Sequence, residues 1–180
     1  MHGAVRPRYV PPPYQDSAEC GRLVLRDGTT AHVRPAHPDD AAELDAFFRR
    51  LSPDDTRRRF LSVSPPGPDL IGRLVGAADP REALTLVVTR THGGGPRVVA
   101  TGSYHARDAR TAEVALAVAA DLRGKGLGTL LLERLALLAV RNGFTRFWAL
   151  TTAENRPMLE VFRASGLAVR ERANGQEVEV

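Results

Sequence analysis

The sequence predicts an α/β fold, with helices on both faces of a mixed, mostly antiparallel sheet. Three observations carry this. Three β-rich runs, at 83–90, 97–105 and 111–118, follow one another across turn-like joins and read as an antiparallel meander. A glycine-bearing bend, Arg123-Gly124-Lys125-Gly126-Leu127-Gly128, then opens a long apolar helix. A further strand at 146–151 completes a strand–helix–strand crossover, which makes it the parallel neighbour of 111–118.

Taken in order, residues 1–20 form a proline-rich tail whose Arg-Pro-Arg-Tyr-Val-Pro-Pro-Pro-Tyr run excludes regular structure. One domain is expected over 21–180. Leu23–Arg26 and Thr29–Arg34 flank Asp27-Gly28, a short hairpin signal. His37-Pro-Asp-Asp40 offers helix-start chemistry before Ala41–Leu51, where Leu44, Phe47, Phe48 and Leu51 share one face. Ser52-Pro53-Asp54-Asp55 starts a second helix with a capping hydroxyl, a first-turn proline and acids against the dipole. A third short helix spans 69–75. Capping accounts for Asp39, Asp40, Asp54 and Asp55. The helix after the bend has polar side chains mainly at Thr129, Glu133, Arg134 and Arg141, so most of its girth is expected to be buried, and Asn142-Gly143 ends it. Asn155-Arg-Pro opens a last helix that Gly166 closes. Leu167–Arg172 and Glu177–Val180 then form a hairpin around Asn174-Gly175.

Composition sets bounds. The chain has 180 residues, 43% hydrophobic and 26% charged, ordinary values for a globular domain. No apolar run reaches the ~20 residues of a membrane span, and none ends in a signal-cleavage pattern. The single Cys20 excludes an internal disulfide framework and suits a reducing cytoplasm. His2, His32, His37, His92 and His105 have no metal-ligand spacing, so no metal site is expected. The net charge of +4 invites a nucleic-acid reading, but the arginines are scattered and Arg57-Arg58-Arg59 lacks interleaved aromatics, which disfavours it. Lys125 is the only lysine in the chain.

The bend carries the chemistry. A glycine-rich turn from strand to helix leaves backbone N–H groups unpartnered at the positive end of the helix dipole, a seat for phosphate. Gly124, Gly126 and Gly128 allow close approach, and Arg123 and Lys125 add charge. The expected ligand is a phosphorylated cofactor, and a tight turn that binds nothing is the plain alternative. The dinucleotide pattern G-x-G-x-x-G fails at Thr129, and no Gly-Lys-Ser/Thr triplet closes a nucleotide-triphosphate loop. The spacing of Arg123, Gly126 and Gly128 resembles the acyl-CoA pyrophosphate loop of the GNAT superfamily of N-acetyltransferases.

A second stretch, Asn155-x-x-Met158-x-x-x-Phe162-x-x-x-Gly166-Leu167, resembles that family's signature for a helix beside the cofactor. More finely, Leu25–Pro35, Asp39-Asp40, Leu51-Ser-Pro and Arg59-Phe60 resemble the start of the acetyltransferase module in bacterial protein lysine acetyltransferases that modify acyl-CoA synthetases. The resemblance covers roughly Leu23 to the C-terminus. It implies a GNAT-type sheet whose central parallel strands splay at the cofactor site, acetyl-CoA as cosubstrate, and a protein lysine as acceptor. A small-molecule amine acceptor and a non-catalytic acyl-CoA sensor remain the alternatives. It also implies contacts to the cofactor from Leu116, Ala117 and Val118 on the strand, from Arg123, Gly124, Lys125, Gly126, Leu127, Gly128 and Thr129 at the bend, and from Asn155 and Phe162. Glu113 is the implied general base, on one strand face with Ala115 and Ala117. Many family members carry a tyrosine where Phe162 stands, to protonate the leaving thiolate. Tyr104 and His105 are the candidate substitutes.

Overall fold

The computed structural model describes residues 19–62, 64–174 and 177–179, so residues 1–18 of the tail expected over 1–20, and Gly175 and Val180 of the expected last hairpin, lie outside the described residues. Strands β1 (Gly21–Val24) and β2 (Thr30–Pro35) lead into helices α1 (Ala41–Arg49), α2 (Pro53–Phe60) and α3 (Pro68–Gly76). The meander β3 (Ala83–His92), β4 (Gly95–Ala106) and β5 (Thr111–Val118) follows, then α4 (Leu127–Arg141). Next come β6 (Arg146–Trp148), β7 (Leu150–Thr152), α5 (Arg156–Ala164), β8 (Arg172–Asn174) and β9 (Glu177–Glu179).

Six strands join in the order β1-β2-β3-β4-β5-β6, every pair antiparallel except β5–β6. The expected α/β fold with a mixed, mostly antiparallel sheet is thus present. Its single strand at 146–151 is corrected. The chain breaks at Ala149, and β7 leaves the main sheet to pair with β9 in a smaller β7-β9-β8 sheet. Parallel pairing between β5 and β6 covers Thr111↔Arg146, Ala112↔Phe147 and Glu113↔Trp148 and then stops. From Val114 onward, no strand among the described residues occupies that side of β5.

Period-two alternation sends the two sheet faces into separate cores. Leu86, Val88, Ala100, Tyr104, Val114 and Leu116 pack with Leu131, Leu132, Leu135 and Leu138 of α4. Val87, Val98 and Ala117 meet Leu44, Phe47 and Phe48 of α1 and Ile71 and Leu74 of α3. Gly102 lets α4 lie close to the sheet, because a Cβ there would stand 2.7 Å from Leu116 Cδ2 and 2.9 Å from Leu135 Cδ1. The expected near-complete burial of α4 is corrected as well: Leu137 and Val140 are 58% and 69% exposed, so the helix has one open face that keeps apolar side chains.

Local chemistry sets the element ends. Ser52 Oγ accepts from the Asp55 N–H at 3.1 Å, capping α2 as expected. Asp40 takes both Arg34 guanidinium nitrogens, at 2.6 and 2.7 Å, and the His37 N–H at 2.8 Å, which fixes the corner between β2 and α1. The hairpin turn widens to a loop over 25–29, closed by Leu25 N–H to Thr29 O at 2.8 Å, with Gly28 at φ 78°. The expected strand over 167–172 shrinks to Arg172–Asn174. No helix among the described residues is long and apolar enough to cross a membrane.

Two stability outcomes follow. The Arg34 hydrogen bonds, with the His37 N–H, hold the Asp40 carboxyl below its ordinary range despite partial burial. Stability from a lowered carboxylate pKa is fully present above the unfolded value of ~4 and disappears as pH falls through the folded value. Asp40→Asn should therefore cost about 1–2 kcal/mol in urea unfolding at pH 7. The gap to wild type should close progressively below about pH 4, and a pH-independent gap would contradict this account. Gly102→Ala should lower stability by about 1–3 kcal/mol through overpacking under α4, read as a drop in Tm.

Candidate functional site

Where β5 loses its partner, its main-chain edge faces a cavity of about 450 Å³. Leu116, Ala117 and Val118 line it from the strand. Beyond Val118 the chain makes a 3-10 turn at Ala120–Leu122 and enters the bend. Gly124 (φ 70°) and Gly126 (φ 82°) adopt the left-handed conformation that glycine holds without a steric penalty. Gly126 is the N-cap of α4 and supplies no side-chain acceptor. The first-turn N–H groups of Leu127, Gly128 and Thr129 precede the first intrahelical bond, Leu130 N–H to Gly126 O at 3.1 Å. All three residues line the cavity, so the helix presents its positive end to it.

The opposite wall comes from α2, which packs over both β5 and β7 and contributes Asp55, Arg58 and Arg59. The start of α5 closes a third side with Pro157, Met158 and Val161. Gly128 is helical, and a Cβ there would lie 3.0 Å from Val161 Cγ2, so its small size serves the approach of α4 to α5.

The structure brings Leu116, Ala117, Val118, Arg123, Gly124, Gly126, Leu127, Gly128, Thr129 and Asn155 together around one cavity. Two expected cofactor contacts lie elsewhere. Lys125 turns away to pair with Asp27 at 2.9 Å, while its carbonyl accepts from the Arg26 N–H at 3.0 Å. Those bonds brace the bend from the β1–β2 loop. Phe162 is buried in the main core and lines a second cavity of about 530 Å³, beside Phe144 and Phe147. The 100° step of α5 gives Met158 and Val161 to the first cavity and turns Leu159 and Phe162 inward. Asn155 stands at the N-cap of α5, but its side chain makes no cap. It is buried, and its Nδ2 donates to Thr151 Oγ1 at 2.9 Å.

Charges at the mouth are already engaged. Arg123 Nη2 sits 2.6 Å from Asp55 Oδ2, tying the bend to α2. Burial pushes the Asp55 carboxyl up, but the hydrogen bonds from Arg123 and Ser52 outweigh it and hold the group below the ordinary range. Sequence reasoning missed Asp55 as a partner of the bend, and it missed Arg26, Arg58 and Arg59 as cavity residues. Spacing 55, 58, 59 on one helix face was the available signal.

Glu113 is exposed and lies outside the cavity lining, three residues before Leu116 and so about 10 Å along the strand. It is paired in register with His105 across β4 and with Trp148 across β6. Burial, then the charges of Arg59 and Arg73, lower the His105 pKa against the pull of Glu113, so its imidazole is neutral near pH 7. Tyr104 lies on the opposite face. Its hydroxyl donates to Pro80 O at 2.8 Å and accepts from Asn142 Nδ2 at 3.2 Å, which removes it as a proton donor at this site. Arg59 Nη2 donates to Ser103 Oγ at 3.3 Å, its guanidinium stacks 4.8 Å from the Phe60 ring, and its Nε is shielded with no partner. Burial pushes its pKa down to about 10, which leaves it a cation at neutral pH.

The model of the acetyltransferase (GNAT) family matches residues 44–167. An acetyltransferase of Pseudomonas aeruginosa is 31% identical over 144 residues, covering 79% of this chain and 77% of its own. The GNAT domain of PAT from S. lividans is similar in structure, with a TM-score of 0.78 at 29% identity over 89% of this chain and 94% of that one. A cAMP-binding acyltransferase from Mycobacterium smegmatis gives 0.61 at 25% identity over 89% of this chain, which spans 46% of that protein.

Proposed function

The chain belongs to the acetyltransferase (GNAT) family and is an N-acetyltransferase, and we propose that it moves an acetyl group from acetyl-CoA to the side-chain amine of a protein lysine in the cytoplasm. One observation carries the mechanism: β5–β6 pairing ends at Glu113, leaving the edge at Leu116–Val118 open beside an uncapped helix start. A protein acceptor is supported by the likeness to the GNAT domain of PAT and by the resemblance of Leu25–Pro35 and Arg59-Phe60 to lysine acetyltransferase modules.

Acetyl-CoA supplies the acetyl group as a thioester, and this chain's residues do the rest. The N–H groups of Leu127, Gly128 and Thr129 hold the pyrophosphate, and Arg123 exchanges Asp55 for phosphate oxygen. The open edge of β5 binds the pantetheine amides as a missing strand would, and one of its N–H groups polarises the thioester carbonyl. Asn155, buried at the cavity wall, adds a polar contact. Glu113 takes the amine proton, directly or through water across the space that separates it from Leu116.

Glu113→Gln should lower kcat by about 100-fold or more and leave the Kd for coenzyme A unchanged; full turnover in the variant would remove Glu113 as the base. Gly126→Val forces a β-branched side chain to φ 82° and pushes on Arg26, whose Nε stands 3.2 Å from the added Cβ. It should weaken coenzyme A binding about tenfold or more, since a strain of about 1–3 kcal/mol falls on the bend itself. The acceptor is tested by mass spectrometry of lysate proteins incubated with enzyme and acetyl-CoA, alongside a panel of small amines. New acetyl-lysine sites absent with Glu113→Gln are expected, whereas turnover of small amines alone would overturn the protein acceptor.

A further inference from the structure

Arg59 shares its cavity with the carboxylates of Asp55 and Glu160 but is paired with neither, since Asp55 is held by Arg123. Among the described residues, its contacts are the Ser103 hydroxyl and the Phe60 ring, and it forms no ion pair with a carboxylate. Glu113 acts on it only through space. A guanidinium carries five donors, and a shielded one with an unfilled N–H is costly unless something answers it. The Nε is that unfilled donor.

Its position says what part of a ligand it meets. On α2, Asp55 grips Arg123 at the phosphate end of the cavity. Arg59 lies one helical turn further on, about 6 Å along the axis, against Ser103, which pairs in register with Ala115. Ala115 is two residues nearer to Glu113 than Ala117, about 7 Å along β5. Arg59 therefore stands at the reacting end, just past the strand edge assigned above to the thioester. In a four-carbon diacid thioester, the free carboxylate lies about 4 Å beyond the thioester carbon, which brings it to the level of Ala115.

We propose that Arg59 makes the acyl end of this cavity a carboxylate site, so that the enzyme accepts coenzyme A thioesters of short dicarboxylic acids in preference to uncharged acyl groups of the same length. The inference rests on the acyl-CoA reading given above. Transfer follows the same chemistry. The amine nitrogen forms the amide bond to the thioester carbon, the carbon–sulfur bond breaks, coenzyme A leaves as thiolate and Glu113 receives the amine proton. The terminal carboxylate stays bound to Arg59 throughout.

Equilibrium binding of coenzyme A, butyryl-CoA and succinyl-CoA tests this without any acceptor. Wild type should bind succinyl-CoA about tenfold more tightly than butyryl-CoA, as a charge-assisted hydrogen bond requires. Arg59→Met should erase that preference and keep the affinity for coenzyme A within about twofold, and Arg59→Lys should restore part of the preference. Equal or weaker binding of succinyl-CoA by wild type overturns the proposal and leaves acetyl transfer standing, as does a preference that survives in Arg59→Met. Absence of binding to coenzyme A itself would sink the acyl-CoA reading and this inference together. The wild-type comparison decides even if Arg59→Met does not fold.

Discussion

An unpaired strand edge is the constraint on which the rest of the site depends. Buried main-chain N–H and C=O groups need partners, and a strand interior to a fold ordinarily finds them in its neighbour. Here β6 satisfies β5 for three residues, then the chain turns at Ala149 and β7 pairs with β9. The C-terminal half of β5 keeps one edge free while its side chains remain locked in two cores through Leu116 and Ala117. A rigid strand with a free edge is a preorganised template for an extended, amide-bearing ligand. Helix α2 packs against both β5 and β7, and the cavity left between them gives solvent or a ligand access to the free edge.

Electrostatics at the two ends of the cavity differ in kind. The Arg123–Asp55 pair is partly exposed, so it is worth about 1 kcal/mol or less. In the proposed reading a diphosphate brings more charge to the same guanidinium, helped by the N-terminus of α4, and displaces the carboxylate at small cost. Lys125 does not join this exchange. Its pairing with Asp27, together with the Arg26 N–H bond to its carbonyl, fixes the bend against the first hairpin. Arg59, by contrast, pairs with no carboxylate among the described residues, and its Nε is left without a partner.

Much of this was legible in the sequence where the signal is local. The meander, the Ser52 cap, the uncapped glycine bend and the alternation that puts Glu113 with Ala115 and Ala117 all follow from turn chemistry and periodicity. What was not legible depends on contacts distant in sequence. No local pattern tells Lys125 that Asp27 is its neighbour, or Arg123 that Asp55 is. The break at Ala149 divides one short run between two partners, β5 for Arg146–Trp148 and β9 for Leu150–Thr152, which a strand propensity for 146–151 cannot express. Gly128 lines the cavity, but the contact that requires its small size is with Val161, which no local pattern shows. Phe162 reads as a cofactor neighbour until the rotation of α5 is known, and Leu137 and Val140 read as buried because apolar count alone cannot show which face of α4 lacks a partner.

Phenylalanine at 162 removes a proton donor, and the magnitudes show why the proposed reaction tolerates that. A lysine amine has a reference pKa of ~10.4, so presenting it neutral at pH 7 costs about 4.6 kcal/mol. A thiol with a reference pKa of ~8.5 leaves as thiolate at a cost of only about 2 kcal/mol against its protonated form. The base therefore has more than twice as much to supply as the acid. Tyr104 is spent on Pro80 and Asn142 at the far face of β4, and Phe162 packs the core, so the fold keeps no hydroxyl from these two residues for the smaller task. It keeps a carboxylate on an exposed strand position for the larger one, beside a histidine that burial holds neutral and able to accept a proton in turn.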